Sequence, residues 1–282
     1  MNFEAWLNNR YAPSTAAAYA RYAALFTAEI GASQARYADV AEWIAAVRRR
    51  TPNAATVQTH LFALRAFFTW QIESGLRSDN PARALVPADR PVRALSLPHL
   101  LTPQEVRLLR DRSGDLPLRE AVILDFLSWS ALTSREVVSL TTNDLDLARG
   151  TLHVPSCGRT QERTILLPRQ LVACLTTYLE TARPALACGV RSDLLVLTRR
   201  GNAETPDGVQ RVVQKARFLT PGRRLTPTLI RQSVIAMMLG AGHNLRAVQL
   251  FAGHRLPGTT ERYRFTNLAE LRAAVGKFHP MD

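Results

Sequence analysis

The amino-acid sequence predicts a mainly α-helical chain with a small β-sheet, divided into two domains. Three observations carry that expectation. Long stretches repeat apolar residues at i, i+3 and i+4 between capping signals, as amphipathic helices do. Gly150–Pro168 instead has the short runs of a hairpin or of three brief strands. Pro87, Pro91 and Pro98 interrupt a stretch with little periodicity, which reads as a linker. At 282 residues the length suits two cores. The division expected is a helical domain over 1–85, a linker over 86–101 and a larger domain over 102–282.

Residues 13–29 begin with Ser14 or Thr15 as a cap and run helically, with Tyr19, Tyr22, Leu25 and Phe26 available for one face. Trp43, Ile44 and Val47 share a face of a second helix around Val40–Val47. Arg48, Arg49 and Arg50 close it, where cations suit the helix dipole, and they can equally meet phosphate. A third helix, Ala54–Ser74, carries Val57, Leu61, Leu64, Phe68 and Ile72 on one side and stops at Gly75, before Asn80-Pro81.

Thr102-Pro103-Gln104-Glu105 combines a capping box with proline at the first helical position, so a new domain starts there. Leu118–Trp129 is an apolar helix leading into SALTSREVVSLTTNDLDLARGTLHV, and Gly150–Pro168 follows. Leu171–Arg183 is another helix, Leu194–Leu197 a short buried strand or helix start, and Thr198–Gly208 a polar loop. Val209–Arg217 is a helix bearing Arg211, Lys215 and Arg217, followed by Arg223 and Arg224. That group is either a phosphate-contacting surface or a solvated face.

From Leu225 a helix opens after Thr226-Pro227, breaks at Gly240–Gly242 and resumes through Leu245–Phe251. A tight turn at Gly253-His254 leads to Thr259-Thr260 and Tyr263. Asn267–Val275, with Leu268, Leu271 and Val275, is a short amphipathic helix too small to form a core alone.

Composition narrows the partner. A net charge of +13 points to a polyanion, most simply nucleic acid. Residues 1–100 carry 11 Arg against 7 acids, so the excess is spread over both domains. Lys215 and Lys277 are the only lysines. Cys157, Cys174 and Cys188 form no paired motif, so no metal, cofactor or disulfide framework is expected. The amino terminus lacks a signal-peptide profile and no apolar run is long enough for a bilayer, so a cytoplasmic, nucleoid-associated protein is expected.

Arg231, His254 and Tyr263 are a cation, an imidazole and a phenol on three successive elements. A guanidinium clamps non-bridging phosphate oxygens, an imidazole hydrogen-bonds the reacting group, and a phenol can attack phosphorus. Their setting is TP-x-x-x-R, AG-x-x-L-R-x-x-Q, Gly-His and TT-x-x-Y, in that order. This resembles the carboxy-terminal motif of the tyrosine recombinases, the phage-integrase superfamily. The resemblance implies a SAM-like helical core-binding domain that clamps DNA, followed by a tyrosine-recombinase catalytic-type domain (α+β). It also implies site-specific recombination of double-stranded DNA through a phosphotyrosine intermediate, with Tyr263, Arg231 and His254 catalytic.

Three family positions differ. The first active-site arginine falls on Thr133, the hairpin lysine on Gly158 and a histidine on Thr228. Arg135 lies two residues past Thr133, roughly 200° around a helix, so it faces elsewhere unless the chain is not helical there. Arg159, beside Gly158, can touch phosphate but is a poor proton donor. Two classes of function follow: a strand-exchange enzyme impaired on its own, or a non-cleaving DNA-binding accessory of a recombination complex. A type IB topoisomerase fits the amino-terminal pattern less well. In relatives the tail helix packs on a neighbouring subunit, which implies an oligomer on DNA, with copies or related recombinase subunits.

Overall fold

The computed structural model describes residues 2–31, 34–51, 53–85, 100–187 and 192–263. Most of the expected linker, Cys188, Lys277 and the tail helix with Leu268, Leu271 and Val275 lie outside them. The chain forms two compact units, Met1–Ser96 and Leu97–Asp282.

The first unit is four helices: α1 (Phe3–Asn8), α2 (Pro13–Ile30), α3 (Tyr37–Arg50) and α4 (Ala54–Glu73). The short α1 escapes sequence reading, although Asn2 caps it by accepting from the Ala5 N–H at 2.8 Å. It places Trp6 and Leu7 in the core. The buried face of α2 holds Phe26, as expected, together with Ala16 and Ala23; Tyr19 and Tyr22 are half-buried, while Leu25 turns outward at 46% exposure. Small residues let helices approach closely, so Ala16 and Ala23 share the contact face with Phe26. Ile72 likewise turns outward at the end of α4, while Gln71 is buried. Arg48–Arg50 are exposed, and Arg50 reaches Glu29 at 3.3 Å.

The second unit is built around α6 (Leu118–Ser130), which is buried on nearly every side. Packed near it are α5 (Pro103–Asp111), α7 (Ser134–Ser139) and α8 (Arg169–Thr177). A wider turn through Tyr178–Ala182 continues α8 into α9 (Arg183–Ala187). Then come α10 (Pro206–Lys215), α11 (Pro227–Gly240), α12 (Leu245–Ala252) and α13 (Pro257–Glu261). Strands β1 (Leu145–Asp146), β2 (Thr151–Val154) and β3 (Arg163–Leu166) form one antiparallel sheet in that order. Leu194–Leu197 joins no sheet and makes only isolated bridges, while α10 starts before Val209 because Thr205 caps it. Helix α13 starts at Pro257, ahead of the Thr259-Thr260 pair.

Register decides what the sheet buries. Leu152 pairs with Ile165, and Val154 with Arg163. Alternation therefore puts Leu152, Val154, Ile165 and also Arg163 on the inner face. A charged side chain is thus carried into the core beside α12.

Candidate active site

Helix α11 brings in the first group. Thr226 caps it by accepting from the Leu229 N–H at 3.0 Å, and Pro227 occupies the first turn. Ile230, Val234 and Ile235 hold the helix against the core, and Arg231 is buried beside them. One Arg231 Nη donates to the Ala131 carbonyl and the other to the Ala252 carbonyl at 2.5 Å. The nearest carboxylate, Glu136, lies 3.8 Å away. Burial lowers the Arg231 pKa to about 10; Glu136 opposes the shift, Arg163 adds to it and Tyr263 opposes it. The guanidinium stays charged at neutral pH.

Glu136 is fully buried and organises this region. Its Oε1 accepts from Arg163 Nη1 at 2.5 Å, and its Oε2 accepts from the Thr133 N–H at 2.7 Å and hydroxyl at 3.0 Å. Burial pushes this carboxyl up, but the hydrogen bond and charge of Arg163, the Thr133 N–H and the Arg231 charge outweigh it. The net result lies below the ordinary 4.5. Arg163 Nε also donates to the Phe251 carbonyl at 2.7 Å. One carboxylate therefore faces two guanidiniums in a desolvated space, where unpaired charge is costly.

The turn after α12 brings in the second group. Gly253 ends the helix with φ +70, and a Cβ there would lie 2.6 Å from Arg163 Nη1. Both the left-handed backbone and the close guanidinium require glycine. His254 follows, buried at 9% exposure. Its Nδ1 shares a hydrogen bond with Thr260 Oγ1 at 2.8 Å, and its carbonyl accepts from Gln249 Nε2 at 2.9 Å. The hairpin tip docks on the same turn, since Thr160 bridges His254 and the Gln161 N–H donates to the Gly253 carbonyl at 2.9 Å. Burial, together with the Arg231 and Arg163 charges, lowers His254 from 6.5 to about 4. The imidazole is neutral at physiological pH.

Helix α13 delivers the third group. The half-buried Tyr263 ring lies 6.4 Å from the His254 ring, with 24° between planes. Arg231, His254 and Tyr263 thus converge from three elements. A phenol beside a neutral imidazole and a fixed cation can lose its proton and meet an electrophilic phosphorus.

The departing positions have structural work. Thr133 is extended (φ −81, ψ 158) and is the N-cap of α7, forming a capping box with Glu136. The chain is therefore not helical at Thr133, and the helix-face objection to Arg135 does not apply. Gly158 is an exposed left-handed turn residue with φ +60. Thr228 is exposed in the first turn of α11. Arg159, Arg211, Arg217 and Arg224 are exposed. Lys215 Nζ is 2.7 Å from Glu120 and Arg223 Nε 3.1 Å from Glu105, so these two would exchange a carboxylate for a phosphate. Sequence reading passed over the roles of Glu136 and Arg163. The T-x-x-E spacing at 133–136 was a legible signal, the same that marks α5.

Among the described residues no cluster of His, Cys, Asp and Glu could hold a metal ion, and no helix is long and apolar enough to cross a membrane. Residues 99–270 match the phage integrase family. The chain is 30% identical over 247 residues to tyrosine recombinase XerD of Listeria monocytogenes serotype 4b, covering 86% of this chain and 82% of that one. It is 27% identical to tyrosine recombinase XerD of Ralstonia nicotianae, over 98% of this chain and 91% of that protein. In fold it is similar to XerH site-specific recombinase bound to palindromic difH substrate, with TM-score 0.74, 18% identity and 93% and 79% coverage of the two chains. It is also similar to the Tn1549 transposon integrase in complex with transposon right end DNA, with TM-score 0.71, 18% identity and 98% coverage of both. The motif, the helical unit followed by a mixed one, and these matches agree: the chain belongs to the phage integrase family of tyrosine recombinases.

Proposed function

We propose that this chain carries out site-specific recombination of double-stranded DNA, with Tyr263 as nucleophile and with weak cleavage when it acts alone. In the step envisaged, a bond forms from Tyr263 Oη to phosphorus as the bond from phosphorus to a deoxyribose oxygen breaks. The phenol releases its proton, and the departing oxygen takes one up to end as a hydroxyl. Arg231 holds the non-bridging oxygens and neutral His254 hydrogen-bonds the reacting phosphate. The observation that carries this reading is the convergence of Tyr263, His254 and Arg231 at the Gly253-His254 turn. Residues 1–85 would clamp the duplex, and exposed Arg159, Arg211, Arg217 and Arg224 would meet its backbone. The tail beyond Tyr263 would join subunits, copies or related recombinases, at the nucleoid in the cytoplasm.

Impairment follows from positions 133 and 158. Removing a preorganised charge donor typically costs ~2.7–4 kcal/mol of transition-state stabilisation. Lack of a general acid typically removes ~10²–10⁴-fold in rate. One observation favours the second reading, a non-cleaving accessory: both Arg231 Nη atoms already donate to carbonyls. The experiment that separates the two is adduct trapping. A nicked duplex, recovered by its binding from a random-sequence library, is incubated with the full chain and scored for covalent protein–DNA product. A slow adduct lost in Tyr263→Phe supports strand exchange, whereas stable binding with no adduct supports the accessory.

A further inference from the structure

Thr260 is the one buried residue of the short helix α13, and it has no exposed surface at all. The helix begins at Pro257, with no side-chain cap, so the Thr260 hydroxyl is not spent on starting it. Instead its two polar groups meet two members of the site. The hydroxyl oxygen lies 2.8 Å from His254 Nδ1, and the carbonyl accepts from the Tyr263 N–H at 3.0 Å. The backbone of His254 is fixed separately, from α12. Its N–H donates to the Gln249 carbonyl at 3.1 Å, and its carbonyl accepts from Gln249 Nε2 at 2.9 Å. Those contacts hold the main chain, and Thr260 holds the ring.

The direction of the bond between Thr260 and His254 decides what the ring can do. A neutral imidazole carries its proton on one nitrogen only, and the hydrogen bond made at one nitrogen selects the tautomer. With the proton on Nδ1, Thr260 would accept it, and the threonine's own hydroxyl hydrogen would need a second acceptor. Among the described residues none bonds it, and the side chain offers no surface to solvent. A buried donor without a partner is costly. In the opposite arrangement the hydroxyl donates to a bare Nδ1, and both groups are satisfied. The proton then sits on Nε2, which bonds none of the described residues and is the nitrogen left for a phosphate oxygen.

We infer that Thr260 is a positioning residue: its hydroxyl donates to His254 Nδ1 and so keeps the ring proton on Nε2, where it donates to an oxygen of the reacting phosphate. The inference deepens the strand-exchange reading and rests on it, but its first readout needs no cleavage. Thr260 has no exposed surface with which to touch DNA, so its loss should alter the reaction and not the binding.

The test uses the full chain with isotope-labelled histidine ring nitrogens, and His254→Gln identifies the His254 signals among the six histidines. The ring is neutral at physiological pH, its pKa being about 4, so nitrogen chemical shifts report the tautomer directly. In the unmodified chain Nδ1 should resonate as a bare nitrogen accepting a hydrogen bond, and Nε2 as a protonated one. Thr260→Ser keeps a hydroxyl and should preserve the pattern. Thr260→Val keeps the shape and should remove the hydrogen-bond shift at Nδ1. On the library-selected nicked duplex, Thr260→Val should form adduct roughly 10²-fold more slowly, the scale on which a misplaced group costs rate, with an unchanged dissociation constant. Thr260→Ser should stay near the unmodified rate. Added to His254→Gln, Thr260→Val should slow the reaction little further, because residues that act through one another are not additive.

A protonated Nδ1 in the unmodified chain overturns the inference and leaves strand exchange standing. A Thr260→Val loss as large in the His254→Gln background as without it overturns it too, because Thr260 then serves the fold of α13 and not the ring. A bare Nδ1 that depends on the Thr260 hydroxyl, in a chain that forms no adduct, supports the placement of the ring and removes the strand-exchange reading instead.

Discussion

Protonating His254 should cost the second unit stability in mild acid, by an amount its surroundings fix. The imidazole is buried with Arg231 and Arg163 close by, and its pKa falls from 6.5 to about 4. The folded chain therefore takes up this proton later than the unfolded chain. Stability from the neutral ring is complete above pH 6.5, declines as pH falls toward 4 and is gone below it. The full difference amounts to about 3 kcal/mol, of which about 2 kcal/mol is lost between pH 7 and pH 5. The total curve hides this loss, because Asp125 moves the other way. Burial raises Asp125 to about 6, against hydrogen bonds from Ser113 and Cys174 and the Arg110 charge, so its protonation in the fold adds stability as pH drops below 6. A comparison with His254→Gln cancels Asp125 and isolates the imidazole. Urea titrations should follow Trp129, the only tryptophan in residues 97–282, by fluorine NMR of fluorotryptophan-labelled protein. The stability gap between wild type and His254→Gln should shift by about 2 kcal/mol, in favour of glutamine, from pH 7 to pH 5. A gap constant to within about 0.5 kcal/mol would refute the reasoning, since one pKa unit alone is worth more than that.

Other perturbations test the same architecture. Glu136→Gln should destabilise the second unit by about 3–5 kcal/mol in urea titration, because Arg163 and Arg231 lose their shared buried carboxylate. Gly253→Ala should cost more than the ~1–2 kcal/mol of a left-handed alanine, because the added methyl also meets Arg163; its melting temperature reports this. Thr133→Arg with Gly158→Lys, and Thr228→His if needed, should raise adduct formation on the nicked duplex, and Tyr263→Phe should abolish the gain. The first change sacrifices a helix cap worth about 0.5–2 kcal/mol, so the gel readout should be paired with a stability measurement. DNA binding should weaken steeply as salt rises, in line with the +13 charge, and fluorescence anisotropy at several salt concentrations checks it.

Local chemistry was legible along the chain. The capping box at 102–105, the proline-started helix after Thr226 and the alternation of Gly150–Pro168 each depend on a few neighbouring residues, and each element formed close to its expected place. The order of Arg231, His254 and Tyr263 was readable for the same reason, as spacing within one stretch. Other features needed the folded chain. Arg163 is inward only because Val154 sits opposite it in the sheet, and Glu136 gathers Thr133, Arg163 and Arg231 from positions 3, 27 and 95 residues distant. Periodicity over α2 picked out Phe26 but passed over Ala16 and Ala23, whose small side chains are buried only because neighbouring helices pack on them. Thr133 and Gly158 looked like plain losses in the sequence. In the fold one caps a helix and the other turns a hairpin, with Arg135 lying beside it. Periodicity and capping act over a few residues and leave their mark on composition, whereas the pairing of buried charges depends on which distant backbones meet.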